Sequence, residues 1–115
     1  MKLFGVSQSS GAERELQVEG GGDGIVLTIR SYEGGEELER VQVREGDLLP
    51  TITDPAPGGS AVEGVSPVHK WKMLLGVEIR RNEVWLTARP VTALAAADVA
   101  VGLDDFQDAL EKAIG

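Results

Sequence analysis

The sequence predicts an α+β fold, mainly antiparallel β, arranged as a tandem pseudo-two-fold repeat of a β-β-β-(β)-α unit with a C-terminal helix. Three observations carry that reading. "LQVEGGGDGIVLTIR" (16–30) lies on "LGVEIRRNEVWLTAR" (75–89) without a gap, with Leu16/Leu75, Val18/Val77, Glu19/Glu78, Leu27/Leu86, Thr28/Thr87 and Arg30/Arg89 identical. "RVQVREGDLLPTITD" (40–54) and "DVAVGLDDFQDALEKAIG" (98–115) then share Val-x-Val, three spacers, Asp and a large apolar residue, in the same order at nearly the same offset. A fixed offset between two ordered matches is the signature of an internal repeat. The third observation is that apolar residues recur mostly with period two, between clusters of turn-forming residues.

In chain order, Leu3, Phe4 and Val6 suggest a first strand. Leu16 and Val18 alternate with polar neighbours, and Ile25, Leu27 and Ile29 do so after "GGGDG" (20–24), whose Gly and Asp reach positive φ cheaply. The pair reads as a hairpin. "EGGE" (33–36) is a second turn, leading into a strand that ends at Val41 and Val43. Pro50 limits the helix expected in "EGDLLPTITDPAPGG" to a turn or two. "DPAPGGSAVEG" (54–64) reads as a connector. The chain is thus expected to be one domain over 1–115, with repeat 1 at about 1–53, the connector at 54–64 and repeat 2 at about 65–115.

Residues 65–79 alternate cleanly enough to predict one long strand. His69, Trp71, Met73, Leu75, Val77 and Ile79 fall on one side, and Lys70, Lys72, Gly76 and Glu78 on the other. Trp71 is therefore expected in the core. "RRNE" (80–83) turns the chain back, and Trp85, of opposite parity to Leu86, is expected to point away from the core. Pro90 punctuates, and Val99 and Val101 end the last strand. The final helix has Phe106, Leu110 and Ile114 at four-residue steps, acids in its first turn and Lys112 near its end.

At 115 residues, 42% hydrophobic and 26% charged, the chain has ordinary globular usage, with only 4% aromatics. It contains no cysteine, which excludes disulfides and thiolate metal sites. No stretch reaches the roughly 20 apolar residues of a membrane helix, and the first residues lack a signal-peptide core, so a cytoplasmic protein is expected. Residue usage suggests a GC-rich bacterial or phage gene. The formal net charge is −8, which opposes phosphate backbones. Only residues 64–90 are positive, with five basic against two acidic side chains.

No catalytic constellation emerges, and no enzyme is expected. The single histidine, His69, sits on an apolar strand side, and none of the serines lies in a nucleophile elbow. Acid pairs such as Asp104/Asp105 are explained by the helix dipole, and "GGGDG" lacks the Lys-Ser/Thr of a phosphate loop. No metal or other cofactor is implied.

Binding remains. Lys70, Trp71, Lys72, Arg80, Arg81 and Trp85 interleave cations and rings on adjacent predicted strands. Trp and Arg anchor protein interfaces, and the same mixture forms stacking platforms for single strands. The preferred reading is a small acidic non-catalytic protein-interaction module, of bacterial or phage origin, that binds another protein or itself through a sheet face or edge, as an inhibitor in one form. The alternative is a single-stranded nucleic-acid binder. The duplicated strand-strand-strand-helix layout is similar in topology to the whirly and transcription-coactivator-like single-strand DNA binders, and that resemblance implies a nucleic-acid partner. The charge disfavours nucleic acid, and no membrane partner is expected.

Overall fold

The computed structural model describes residues 1–22 and 24–115, so Asp23 of the expected 20–24 turn lies outside the described residues. Strands β1 (Lys2–Val6), β2 (Glu13–Gly21), β3 (Gly24–Ser31) and β4 (Glu37–Val43) are followed by helix α1 (Glu45–Thr53). Strands β5 (Ser60–Val65), β6 (Lys72–Arg80), β7 (Glu83–Pro90) and β8 (Ala97–Gly102) are followed by helix α2 (Leu103–Ile114). Each strand pairs antiparallel with its sequence neighbour, and β8 returns to β1, closing one eight-stranded barrel.

Period-two patterning explains the barrel wall. Leu16, Val18, Ile25, Leu27, Ile29, Val41 and Val43 point inward from one half of the chain. Met73, Leu75, Val77, Val84, Leu86, Val99 and Val101 point inward from the other. An eight-stranded barrel is just wide enough for side chains to fill it. Phe106, Ala109 and Leu110 of α2 and Leu48 of α1 extend the same core. The hairpins β2–β3 and β6–β7 pair in the same register, Val18 opposite Leu27 and Val77 opposite Leu86.

That likeness does not make two units: the tandem repeat expected from the sequence is corrected to a single closed barrel around one core. The reason is physical. A four-stranded meander alone leaves its apolar face bare and two strand edges unpaired. Closing eight strands into a ring removes both defects.

The ring is joined at two thin seams. Strands β4 and β5 share only the pairs Gln42↔Val65 and Val43↔Gly64, and β1 and β8 share Val6↔Ala100. Both helices and the turns after β2 and β6 lie at one end of the barrel, here the helix end. The turns 7–12, 32–36, 66–71 and 91–96 lie at the other, the loop end.

Three expectations change. Residues 65–79 are not one long strand: β5 ends at Val65, a turn occupies 66–71, and β6 begins at Lys72. Strand β5 takes up residues 60–64 of the expected connector. Helix α1 runs nine residues and carries Pro50 inside it, longer than a turn or two.

Candidate functional site

The loop end is built from turns whose geometry the chain fixes locally. In the 66–71 turn, the Ser66 N–H donates to the Trp71 carbonyl (2.9 Å) and the Lys70 N–H to the Ser66 carbonyl (2.9 Å). The His69 N–H donates to Ser66 Oγ (3.0 Å). Closing this turn puts Lys70 at φ 64, a left-handed conformation that side chains other than glycine rarely take. Its products are an exposed Val68 and a half-exposed Trp71, whose ring stacks on His69 with centroids 4.1 Å apart.

The 7–12 turn is wired the same way. The Ser7 N–H donates to the Ala12 carbonyl, the Gly11 N–H to the Ser7 carbonyl, and the Ser10 N–H to Ser7 Oγ. Asp98 of β8 clasps this turn through four hydrogen bonds, from the Ser7 and Ser9 hydroxyls and the Gln8 and Ser9 N–H groups. Burial acts to raise the Asp98 carboxyl, but these bonds outweigh it and hold the group below its ordinary pKa.

Loop 91–96 is organised by Arg89, whose Nη1 donates to the Pro90, Val91 and Ala93 carbonyls. Leu94, at the tip, is fully exposed. After β3, Tyr32 packs edge-on against Phe4 at 5.6 Å, and both rings remain exposed. Most of the large apolar side chains exposed among the described residues therefore rim this end: Val6, Tyr32, Val68, Trp71, Val91 and Leu94.

Just inside the rim sits Glu39. Burial raises its pKa above the ordinary carboxylate value; the nearby His69 opposes that shift and Glu37 adds to it. Arg14, beside Glu39 in the same hollow, has a buried Nε with no hydrogen-bond partner.

The six residues singled out in the sequence do not form one patch. Lys70, Trp71 and Lys72 are at the loop end, whereas Arg80 and Arg81 are at the turn closing β6 onto β7, at the helix end. Nine-residue β6 separates them by about 25 Å. Trp71 is not in the core, because the turn ends the alternation that assigned it there. Trp85 does point outward. It is half-buried beneath Arg80, whose guanidinium lies 3.9 Å from the ring centroid, and Arg80 is itself bound to Glu78 at 3.1 Å.

Tyr32, Val91 and Leu94 escaped the sequence reading. Each sits in or beside a turn, where period-two patterning gives no signal, and their one shared trait is a large apolar side chain among loop residues. No described helix is long and apolar enough to cross a membrane, and no group of three described His, Asp or Glu side chains is placed to hold a metal ion. No protein-family model, characterised protein or solved structure matches this chain.

Proposed function

We propose that the protein is an acidic, non-catalytic interaction module that captures another protein on the loop end of its barrel. The observation that supports this is the rim of exposed apolar side chains on turns held by a rigid barrel: Tyr32, Val68, Trp71, Val91 and Leu94. Monomeric surfaces rarely gather such residues without covering them, and turns on a stiff scaffold are where binding surfaces concentrate. Trp71 and Tyr32 are of the kinds that dominate interface energetics. The contact surface is the loop tips rather than a sheet face or edge. Self-association through the same rim is the related possibility.

The test compares wild-type bait with the Trp71→Ser/Leu94→Ser variant in affinity capture from the source cell, read by quantitative mass spectrometry. A protein retained by the wild type and lost by a folded variant supports the reading; identical captures overturn it. Light scattering of the same two proteins reveals whether the rim binds a second copy. Fluorescence anisotropy with a labelled oligonucleotide addresses the nucleic-acid alternative. Micromolar binding that weakens with salt and vanishes in Lys70→Ala/Lys72→Ala/Trp71→Ala would replace the protein reading with the single-strand one.

A further inference from the structure

At the opposite end, α1 and α2 enclose a groove of about 370 Å³. Its apolar floor is Leu49, Ile52, Leu110 and Ile114, and its charged lining is Asp104, Asp108 and Glu111, with no basic residue. Phe106, Ala109 and Leu110 of α2 cover the barrel, while Ile114, one step beyond Leu110 on the same flank and the last residue of the helix, remains exposed. The two helices together carry Glu45, Asp47, Asp104, Asp105, Asp108 and Glu111 against Lys112 alone.

Helix electrostatics accounts for only part of this. Acids in the first turn offset the positive helix start, which covers Glu45, Asp47, Asp104 and Asp105. Asp108 lies mid-helix and Glu111 in the last turn, where a negative charge opposes the dipole. Neither has an ion-pair partner among the described residues. Among the described residues no ion pair compensates their charge, and both stand beside an apolar cleft.

We propose that the α1–α2 groove docks a basic amphipathic helix of a partner protein. Such a segment would set apolar side chains at i and i+3 or i+4 onto Leu49, Ile52 and Ile114, with flanking Lys or Arg beside Asp104, Asp108 and Glu111. The volume, near the low end of the roughly 300–1,000 Å³ of ligand sites, suits inserted side chains better than a cofactor-sized molecule. A second copy of this chain would bring its own acidic helices into the contact, and like charges reject it. The surface is separate from the loop-end rim, and the proposal does not depend on that one.

The probe is a fluorescein-labelled helix-forming peptide of Leu at i, i+3, i+4 and i+7 and Lys elsewhere, with a scrambled peptide of the same composition as control. Anisotropy would show the ordered peptide binding at least about tenfold more tightly than the scrambled one. Binding would weaken about tenfold between roughly 50 and 300 mM salt, as screening shortens the reach of the acids. Asp108→Lys/Glu111→Lys would reduce affinity about tenfold or more, and Ile114→Ser several-fold, while Trp71→Ser/Leu94→Ser would leave it unchanged. Asp108→Asn/Glu111→Gln, which adds no repulsion, would give an intermediate loss. Thermal melts confirm that each variant folds. Equal binding of ordered and scrambled peptides, indifference to the Asp108 and Glu111 variants, or loss with the rim variant would each overturn the proposal.

Discussion

The Ser7 hydroxyl donates to the carboxylate of Asp98 at 2.7 Å, tying the turn after β1 to a strand ninety-one positions later in the chain. The bond sits beside the seam where β1 and β8 share a single register pair. Side-chain hydrogen bonds therefore reinforce a place where the backbone ladder is thin.

Removing the clasp should weaken the barrel. Asp98→Ala would cost about 2 kcal/mol, because two backbone N–H groups and two hydroxyls lose a charged acceptor. Asp98→Asn would cost about half that, as its amide can donate to the hydroxyls while its oxygen serves the N–H groups. The lowered carboxyl also sets a pH dependence. Its stabilisation is present above the unfolded carboxylate pKa of about 4 and is lost as pH falls through the lower folded value. Urea unfolding at about pH 7 and pH 3 should show a smaller acid-side loss in Asp98→Asn than in the wild type.

Glu39 should behave with the opposite sign. Burial, resisted by His69 and assisted by Glu37, raises its folded pKa, so its contribution is intact below the unfolded value and is lost as pH rises through the folded one. Glu39→Gln is expected to stabilise the protein near neutral pH and to change little near pH 3. The gain should stay below about 1 kcal/mol, since the group is largely solvated. The difference between variant and wild-type unfolding curves at the two pH values checks it.

Glycine at the seams is required by close approach. A Cβ on Gly5 would run into the Ala100 carbonyl, and one on Gly64 would stand 2.6 Å from the Gln42 carbonyl. Both obstacles are backbone and cannot rotate away. Gly5→Ala and Gly64→Ala should each cost about 3 kcal/mol, whereas Gly46→Ala, which meets nothing, should not destabilise. Thermal melts of the three variants provide the comparison.

Lys70 and Gly11 occupy the same position in their respective turns, at φ 64 and φ 76. The lysine is held in a conformation costing roughly 1–2 kcal/mol for an L side chain, against about 0.5–1 kcal/mol of extra entropy that glycine loses on folding. Lys70→Gly should therefore stabilise by a few tenths to about 1 kcal/mol, and Gly11→Lys should destabilise by a similar amount. If the apolar rim carries binding, Lys70→Gly should stabilise the fold and leave capture intact, whereas Trp71→Ser/Leu94→Ser should weaken capture.

Much of the wall was legible beforehand, because burying one face of a strand forces the period-two spacing seen at Leu16, Val18, Ile25 and Leu27. The hairpin around 80–83 and the outward direction of Trp85 followed from the same parity. Closure into a ring was not legible: it depends on which edges meet, and the seam pairs Val6↔Ala100 and Gln42↔Val65 leave no local pattern. The false strand through His69 and Trp71 arose because apolar alternation continues across a turn that Ser66 closes through its backbone and hydroxyl. Because the turn lies at 66–71, the length of β6 divides Lys70 and Lys72 from Arg80 and Arg81, which an unbroken strand would have placed in one patch.

The two seams also set how the molecule would come apart. Each holds few ladder pairs, while the strands within each half are paired along most of their length, so the barrel should unzip at its seams before either four-stranded sheet frays. Nothing in a seam demands that both sides belong to one chain. The two sheets are linked by the Pro- and Gly-rich stretch 54–59, and if that hinge extends, strands β1–β4 of one molecule can close against β5–β8 of another. A domain-swapped dimer formed at high concentration would contain the same seams, the same core and two complete barrels.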